Sequence, residues 1–591
     1  MPPAPTDTPA RIRHVPPAAA HPARPVRSPR KSLSLLASAT LIMLFLAPDA
    51  AAGGPAGPGT GGRTEAHLQL VLDGDSLTAQ DMFDVLDAKS VAVKLSDESR
   101  RRMRQIRDGA LNELSKGARV YGWNQALGPL KDKQLDSAQQ KEFQKRILRS
   151  HAAGVGEPLP ERVARLVMVL RANQMARGAM AVRPELVDRM NDLVTAGVTP
   201  VVPQVGSLGS GDLQPMAAVG MVLTGDKAPA RYRGEQGPAA QILGRAGLEP
   251  SFELEQGEAL PIISGSTVVL ASYADALHRA TRAAGLAEGA LAMFMDATRA
   301  ETGSLDARTH AERRIPEEEK VAERLRELLR GSRWTTEEGR KRLGEDHPRI
   351  QDAVSLRAAP HIYGALRKTL ADGRRDIERE ANASTSNPLV FARGSGRGHE
   401  FVMGGNWDGA LLGHAADALN AQIADLGVHT QELSARLLSP KWSYGLPANL
   451  AGGTPGLNSG MVQVQTVAAA LVPEMQVRAM PAGALSRPAK DGQEDHNTMA
   501  MASVRHLHQN LDRLETVQAV LTLMSAQGID LIEKKMAGLS LGAGVRSLHD
   551  TVRAHIEPLH DDRYLTPDLV EMTDLVRGGE LTRPAAGPRQ R

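Results

Sequence analysis

A short glycine-rich segment holds the residues of this chain with the most unusual chemical potential. Gly209, Ser210 and Gly211 follow one another within residues 205–220, ahead of an apolar, helix-like run. The amide nitrogen of Gly211 can attack the carbonyl carbon of Gly209, and loss of two waters leaves a methylidene carbon at residue 210. This attack needs a compressed turn, which a Cβ at residue 211 would obstruct. The segment can therefore make an electrophile from its own backbone, or form an ordinary turn that Asp212 closes as a helix N-cap.

Other polar residues along the chain are candidates for the rest of an active site. Tyr121 stands in a predicted loop, Ser150 and His151 end a helix-like run, and Glu494 lies in a charged cluster at residues 493–496. Taken one at a time, such residues are typical of loops and of solvated surfaces. Their common order along the chain is what makes them informative.

The order of these motifs resembles that of the histidine and aromatic amino acid ammonia-lyase family. GSLGSGDLQP at Ser210 is similar to the family signature GS-x-(Ala-Ser-Gly)-DL-x-P, and YGWNQALG at Tyr121 is similar to its YG-x-N-TGFG loop. LRSHAAGVG at His151 is similar to SHAxGxG, QDAVSLR at residues 351–357 is similar to QDxYSLR, and QEDH includes Glu494. A resemblance of this extent implies a carbon–nitrogen lyase that releases ammonia from an amino acid.

The resemblance implies a role for each candidate residue. Gly209-Ser210-Gly211 would form the cofactor 4-methylidene-imidazol-5-one autocatalytically, with no metal, and Tyr121 would remove the β-proton of the substrate as general base. Arg357 would hold the substrate carboxylate through a bidentate contact. The implied catalytic residues are Tyr121, Ser210 and Glu494. The residues implied to bind the substrate are Ser150, His151, Ser264, Gln351, Arg357 and Glu494.

The pair Ser150-His151 gives the clearest indication of the substrate. It matches the histidine-specific version of the family motif, in which phenylalanine-specific relatives carry Phe-Leu. His151 and Glu494 would hold an imidazole ring, so the predicted reaction converts L-histidine to urocanate and ammonia. An aromatic amino acid lyase or aminomutase of the same family is the alternative.

Four positions depart from the family pattern. Gly209 replaces an alanine, Ser386 an aspartate, Ser264 an asparagine and Val354 a functional tyrosine, while GGNWDG at residues 404–409 is similar to GGNFHG. The changes at Ser264 and Val354 remove polar groups around the electrophile, and one hydrogen bond to a developing charge is worth ~3 kcal/mol. A catalytically impaired, repurposed homologue is therefore a further hypothesis.

Composition favours helices as the elements that position these residues. Of the 591 residues, 41% are apolar, 24% are charged and 3% are aromatic, whereas strands favour aromatic and β-branched residues. Helical apolar spacing over residues 264–289, 410–437 and 499–528 indicates a mainly α, long-helix bundle. The resemblance implies a bundle of the aspartase/fumarase-like superfamily, with a smaller mixed N-terminal region that carries the cofactor loop. It also implies a homotetramer whose active sites each draw on three subunits.

The sequence also predicts shorter elements and the divisions of the chain. Residues 66–72 are β-like, residues 111–120 are helix-like, and residues 167–178 fit an amphipathic helix. The predicted regions are a signal peptide and leader (1–52), a Gly/Pro-rich linker (53–63), an N-terminal lyase region with the cofactor loop (64–255), a central helical bundle (256–545) and a C-terminal helical segment and tail (546–591).

The N-terminal region has the layout of a secretory signal peptide. Basic residues between Arg24 and Lys31 precede an apolar core at 33–47, and Ala50-Ala51-Ala52 offers a cleavage site. The core is shorter than the ~18 residues of a membrane span, so we expect export to the periplasm or beyond, with no stable span after cleavage. A cytoplasmic protein is the alternative if the segment is not a signal. The chain has no cysteine, which excludes disulfides and zinc–thiolate sites.

Charge argues against a nucleic-acid partner. Residues 1–52 carry six Lys or Arg and two Asp, which is a net charge of +4, while the whole chain carries +3. The rest of the chain therefore carries a net charge of −1. The basic pI of the whole chain is therefore a property of the N-terminal tail. The expected partner of the folded part is a small amino acid substrate.

Overall fold

The computed structural model describes residues 67–582, except residues 348, 395–397 and 455. The predicted signal peptide with its leader (1–52) and the predicted linker (53–63) lie outside the described residues. All described residues belong to one compact unit. The predicted divisions near residues 255 and 545 stay predictions.

Helices dominate the described chain. In chain order they are α1 (Ala79–Asp87), α2 (Asp97–Ser115), α3 (Ser137–His151), α4 (Glu161–Ala176), α5 (Pro184–Ala196), α6 (Leu213–Thr224), α7 (Ala239–Arg245), α8 (Ala259–Ile263), α9 (Thr267–Ala297), α10 (Ala307–Arg313), α11 (Pro316–Leu328), α12 (Glu337–Lys341), α13 (Val354–Arg357), α14 (Ala359–Ala381), α15 (Ala410–Leu437), α16 (Val462–Arg478), α17 (Ala500–Ile532), α18 (Ala543–Arg553) and α19 (Thr566–Gly578).

Short strands accompany the helices, mostly in the N-terminal part. They are β1 (His67–Leu72), β2 (Ser90–Leu95), β3 (Val155–Pro158), β4 (Thr199–Pro200), β5 (Pro203–Val205), β6 (Pro229–Tyr232), β7 (Glu235–Pro238), β8 (Leu389–Ala392) and β9 (His399–Val402). β1 pairs with β2 in parallel, with His67 opposite Ser90. The other sheets are antiparallel: β3 with β5, β6 between β4 and β7, and β8 with β9.

The long helices α9, α14, α15, α16 and α17 pack against one another as the core of a bundle. α17 has 33 residues, which is about 50 Å of helix, and it contacts α9, α15, α16 and α19. α9 is rich in alanine and buried along most of its length, so neighbouring helices can approach it closely. The three long helices predicted from apolar spacing correspond to α9, α15 and α17, and the prediction of a mainly α, long-helix bundle is confirmed.

Two shorter helix predictions are wrong in detail. The helix predicted at 111–120 is the end of α2, which starts after the N-cap Ser96 and stops before Gly117, where φ is 91°. Its first turns are charged, and the face it buries has few apolar residues, so apolar spacing missed them. The helix predicted at 167–178 is part of α4. It is buried on all sides and is not amphipathic, because polar residues such as Arg171 and Asn173 are also buried.

One apolar stretch of the core is as long as a membrane-spanning helix. Among the described residues, only Ala259–Ala297 is long and apolar enough to cross a membrane, and the 18-residue part that meets this test is entirely buried inside the bundle. It comprises α8 and α9, and its apolar character is explained by packing in the protein core.

Candidate active site

The predicted cofactor tripeptide lies in a tight turn just before α6. Gly209, with φ of 83°, and Gly211, with φ of 77°, both have left-handed backbone conformations, which favour glycine. A Cβ at Gly209 would lie 2.3 Å from Thr498 Oγ1 and 2.7 Å from the amide nitrogen of Ala500, so α17 approaches too closely for the alanine of the family motif. At Gly211 the nearest atom would be 3.7 Å away. The left-handed backbone angle thus favours glycine at 211, while the predicted obstruction of the cyclising turn by a Cβ stays a prediction.

A facing segment holds both ends of the tripeptide. The Gly409 N–H donates to the Gly209 carbonyl at 2.8 Å, and the Gly211 N–H donates to the Trp407 carbonyl at 3.1 Å. The first contact polarises the carbonyl that would be attacked, and the second orients the nitrogen that would attack it. The Ser210 hydroxyl is buried and has no hydrogen-bond partner among the described residues. Its loss as water would break no hydrogen bond.

Asp212 joins this turn to the bundle. Its carboxylate accepts hydrogen bonds from Ser207 Oγ at 2.6 Å and from the N–H groups of Val268 and Val269 at 2.7 and 3.0 Å. Asp212 therefore caps the start of α9. Asp212 is also the N-cap residue of α6, as predicted, although its side chain makes no hydrogen bond to that helix. Burial raises the pKa of Asp212 to about 6, although these hydrogen bonds oppose the rise.

A fully buried arginine holds the segment between α8 and α9 in place. The Arg171 guanidinium donates to the carbonyls of Pro261, Ser264 and Thr385, at 2.6 Å for Ser264 and 3.0 Å for Thr385. Burial lowers its pKa to about 9, while the charge of Asp212 opposes the fall. Arg171 thus ties the elbow between α8 and α9, which carries Ser264, to the loop after α14.

The tripeptide opens onto a cleft of about 920 Å³. Its lining brings together six of the residues that the sequence analysis selected from distant parts of the chain. They are Tyr121, Ser150, His151, Ser210, Ser264 and Glu494. A candidate base, a candidate electrophile and candidate ring-binding groups thus share one cavity.

Tyr121 is partly buried at this cleft. Its hydroxyl accepts a hydrogen bond of 3.0 Å from the N–H of Gly128, at the start of a short 3₁₀ turn. Burial raises the pKa of Tyr121, the charge of Glu494 raises it further, and the Gly128 N–H opposes the rise. The Gly128 N–H is the one partner here that favours the ionised form of Tyr121, and Arg357 does not line the cleft.

His151 ends α3 with a defined ring orientation. Its Nδ1 lies 2.8 Å from the Ile147 carbonyl and 3.1 Å from Ser150 Oγ. A carbonyl only accepts, so Nδ1 carries the hydrogen and Nε2 is left as an acceptor. Burial lowers the pKa of His151; Ile147 and Glu494 oppose this shift, and Lys490 adds to it. The ring is therefore neutral near pH 7.

Glu494 forms an ion pair with Lys490, and both side chains line the cleft. Lys490 and Asp491 have left-handed φ angles of 51° and 54°, which are uncommon for residues other than glycine. The Ala489 N–H donates to the Glu494 carbonyl at 2.8 Å and closes this loop. The backbone thus holds a cation beside the carboxylate that is expected to bind the substrate ring.

A model of the aromatic amino acid lyase family matches residues 77–554, which is more than half of the chain. The chain belongs to the aromatic amino acid lyase family. The matched range contains every predicted site residue. Together with the relatives below, the match makes this chain a carbon–nitrogen lyase of the ammonia-lyase type.

Relatives and solved structures agree with this assignment. A histidine ammonia-lyase of Geobacillus thermodenitrificans (strain NG80-2) is 34% identical over 507 residues, which cover 85% of this chain and 95% of that protein. The crystal structure of a Trypanosoma cruzi histidine ammonia-lyase matches with a TM-score of 0.77 and 31% identity, over 87% of this chain and 94% of the other. The structure of a tyrosine aminomutase from Streptomyces globisporus matches with a TM-score of 0.80 and 30% identity, over 87% of this chain and 98% of the other. The predicted fumarase-like helical fold is confirmed.

Two predicted substrate-binding residues of the lyase lie outside the cleft. Gln351 and Arg357 are exposed on and next to the short helix α13, and neither lines the cavity around Ser210. Val354, at the position of the family tyrosine, is 61% exposed. Within one chain these residues are therefore separate from the proposed chemistry.

The structure adds cleft residues that sequence reasoning did not select. Arg119, Lys131, Asp132, Trp407 and Lys490 all line the cavity. Trp407 lies in a family-like motif and could have been chosen on that basis. Lys490 stands four residues before Glu494, but this spacing indicates an ion pair only in a helix, and here the contact depends on the left-handed turn.

Proposed function

We propose that this lyase converts L-histidine to urocanate and ammonia by non-hydrolytic carbon–nitrogen elimination. The observation that carries the proposal is the shared cleft, in which His151 and Glu494 face the same cavity as Tyr121 and Ser210. Relatives named histidine ammonia-lyase, at about one third identity over most of the chain, support the same substrate.

We propose further that Gly209-Ser210-Gly211 cyclises to 4-methylidene-imidazol-5-one. The bond forms between the Gly211 nitrogen and the Gly209 carbonyl carbon, and the carbonyl oxygen and the Ser210 hydroxyl leave as two waters. The left-handed glycines, the two backbone contacts from residues 407–409 and the unpartnered Ser210 hydroxyl fit this closure. When formed, the group supplies an electrophilic carbon that makes the amino nitrogen of the substrate departable.

The side chains of the cleft supply the general base and the groups that bind the substrate ring. Tyr121 takes the β-proton, which is hardly acidic, and the Gly128 N–H orients its oxygen. His151 Nε2 accepts a hydrogen bond from one ring N–H of the substrate. The Glu494–Lys490 pair offers both an acceptor and a donor to the second ring nitrogen. An imidazole satisfies these groups, whereas a phenyl ring would leave His151 Nε2 without a partner and would offer no hydrogen bond to the Glu494–Lys490 pair.

This mismatch predicts strong discrimination between substrates. Unpaired polar groups around a buried apolar ring reduce the rate by a factor of about 10⁴. Formation of urocanate, cinnamate and coumarate should be measured side by side with the purified lyase. We expect histidine to be processed far faster than phenylalanine or tyrosine. His151→Leu and Glu494→Gln should each reduce this difference in rate. Faster release of cinnamate or coumarate by the unmutated protein would refute the substrate assignment.

Intact mass tests the cofactor separately. The mature protein should be lighter than its unmodified chain by two waters, and Ser210→Ala should have the mass of its own chain with no loss of water. An unmodified wild-type mass together with insensitivity to borohydride would contradict the cofactor proposal. It would favour the impaired homologue suggested by Ser264 and Val354.

An aromatic lyase or aminomutase is the second candidate. A tyrosine aminomutase structure matches this chain with a TM-score of 0.80, about as well as a histidine ammonia-lyase structure at 0.77, so the fold is compatible with either activity. Incubation with tyrosine and analysis for both β-tyrosine and coumarate distinguishes them. A β-amino acid product would assign the aminomutase activity.

We also propose that the protein is exported and that it acts as a homotetramer. Support for export comes from the basic residues, apolar core and Ala-Ala-Ala of the N-terminal segment. N-terminal sequencing of protein from cells should begin near residue 53, and an intact N-terminus in the cytosol would refute export. Support for assembly comes from Gln351 and Arg357, which lie outside the cleft of their own chain.

A further inference from the structure

Three metal-ligating side chains meet outside the lining of the catalytic cleft. His310 in α10, Glu318 in α11 and His361 in α14 each offer a ligand atom, and these atoms lie within 4.8 Å of one another. His310 and Glu318 are buried, whereas His361 is half-buried, which gives a route from solvent. None of the three lines the cavity around Ser210.

His310 has the arrangement expected of a metal ligand. Its Nε2 lies 2.9 Å from the Ser304 carbonyl. Because a carbonyl only accepts, the hydrogen resides on Nε2 and Nδ1 keeps its lone pair. Nδ1 is buried without a hydrogen-bond partner among the described residues, and the whole residue is 1% exposed. Metal-binding histidines almost always donate their second ring N–H to a carbonyl, a carboxylate or water.

Glu318 supplies a buried negative charge. Its carboxylate accepts hydrogen bonds from His361 Nδ1 at 2.5 Å and from Arg313 Nε and Nη2 at 3.2 and 3.1 Å. Burial acts to raise the pKa of Glu318, but these partners outweigh it and hold the pKa below its usual value. The Arg313 side chain is 54% exposed, so its guanidinium can turn into solvent when another cation takes its place.

We propose that His310 Nδ1, Glu318 and His361 bind one divalent cation of the Zn²⁺ class, with water as the fourth ligand. Two imidazoles and a carboxylate are a donor set that zinc uses with one open position, whereas Ca²⁺ and Mg²⁺ prefer oxygen ligands. Ligands around a tetrahedral zinc ion lie about 3.3 Å apart. The ligand atoms now lie within 4.8 Å of one another. Rotation of the half-buried His361 can bring them to the shorter distance, with Arg313 displaced from Glu318.

Such an ion would stabilise the fold and would take no part in the reaction. It would join α10, α11 and α14, and a cation that binds only the native state raises the free energy of unfolding. The site is independent of the proposed substrate and cofactor. It can therefore be tested by a readout other than activity.

The test is titration of the chelator-treated full-length protein with Co²⁺, followed by visible absorption. The wild type should develop a saturable tetrahedral Co²⁺ band at one equivalent per chain, which added Zn²⁺ removes. His310→Ala should abolish the band. Arg313→Gln should lower the Kd for Co²⁺ several-fold, because it removes the competing cation from Glu318.

Two variants keep the result interpretable. His278→Ala removes a histidine paired with Asp87 elsewhere and should leave the band unchanged. If His310→Ala does not fold, His361→Gln at the half-buried position replaces it. A wild type without a saturable band, a band that survives both ligand variants, or weaker binding by Arg313→Gln would each overturn the proposal.

Discussion

At the scale of single residues, Tyr121 has an electrostatic disadvantage as a base. Burial and the neighbouring carboxylate of Glu494 both raise its pKa, so its phenolate is scarcer at neutral pH than that of a free tyrosine. A positive group from elsewhere would correct this, but Arg357 does not line the cleft of its own chain. The pH dependence of the reaction should therefore report how Tyr121 is activated.

The first prediction concerns the increase of kcat/KM at alkaline pH that ionisation of Tyr121 would produce. Glu494→Gln removes a negative charge that raises the pKa of Tyr121. The rise of kcat/KM for histidine with pH should therefore move to lower pH, even though the maximum rate falls. Asp495→Asn makes the same chemical change at an exposed neighbour and should leave the profile in place. An unchanged or higher midpoint in Glu494→Gln would rule out Tyr121 as the titrating base.

The second prediction concerns Lys490 and the acidic side. Burial and Lys490 both lower the pKa of His151, which keeps Nε2 free to accept from the substrate ring. Lys490→Met keeps the long apolar stem and removes the charge, so His151 should protonate at higher pH. The acidic limb of kcat/KM should shift upward in pH. Lys131→Met, at another lysine of the same cleft, is the matched control, and an equal shift in both variants would contradict a specific role for Lys490.

At the scale of elements, Asp212 makes the cofactor turn and the start of α9 a single structural unit. A buried carboxylate that accepts from Ser207, Val268 and Val269 couples the cofactor turn to α9, a long apolar helix of the core. Each hydrogen bond to a charged group is worth about 1.5–3 kcal/mol. The turn therefore derives its rigidity from the bundle.

The third prediction follows from the raised pKa of Asp212, about 6 against an ordinary value of 3.8. The folded state binds this proton more tightly than the unfolded state, so the resulting stability is full below pH 3.8 and is lost as pH rises through 6. The free energy of unfolding of the wild type relative to Asp212→Asn should increase by about 1.4 kcal/mol from pH 7 to pH 5. Thermal unfolding across this range measures it.

Asp226→Asn is the control for this effect. Asp226 is paired with Arg149, and this partner and a backbone N–H outweigh its burial and lower its pKa, so its contribution should stay constant between pH 7 and 5. If the difference in free energy of unfolding between the wild type and Asp212→Asn does not change from pH 7 to pH 5, the Asp212 carboxylate stays charged throughout this range.

The elements that sequence predicted are those whose signals are local or strongly periodic. α9, α15 and α17 repeat apolar residues over many turns, and the motif order predicted residues that meet at Ser210. Contacts across long sequence distances were missed. Asp212 binds the N–H groups of α9, and Arg171 holds carbonyls from two other segments. No local pattern encodes such partners, and the buried polar residues of α4 made a core helix look amphipathic.

At the scale of the whole molecule, the predicted site is divided. Tyr121, His151, Ser210 and Glu494 line one cleft, whereas Arg357 is exposed on α13. Sequence motifs predicted the members of the site, but one chain's spacing contains no information about whether a neighbouring copy supplies any of them. If Arg357 binds the substrate carboxylate, it must do so in the cleft of another copy.

The last prediction tests this division by complementation. Tyr121→Phe and Arg357→Ala should each inactivate the pure protein, the first through loss of the base and the second through loss of carboxylate binding. Co-expressed with two different tags and purified through both, mixed assemblies should regain activity, because some clefts combine a wild-type Tyr121 with a wild-type Arg357 from another copy. Random mixing in a closed symmetric assembly restores about a quarter of the sites. Co-expression of Tyr121→Phe with Ser210→Ala is the control: both residues line one cleft of the same chain, so no mixture restores a complete site. Recovery in this control, or full activity of pure Arg357→Ala, would show that the site is not shared between copies in this way.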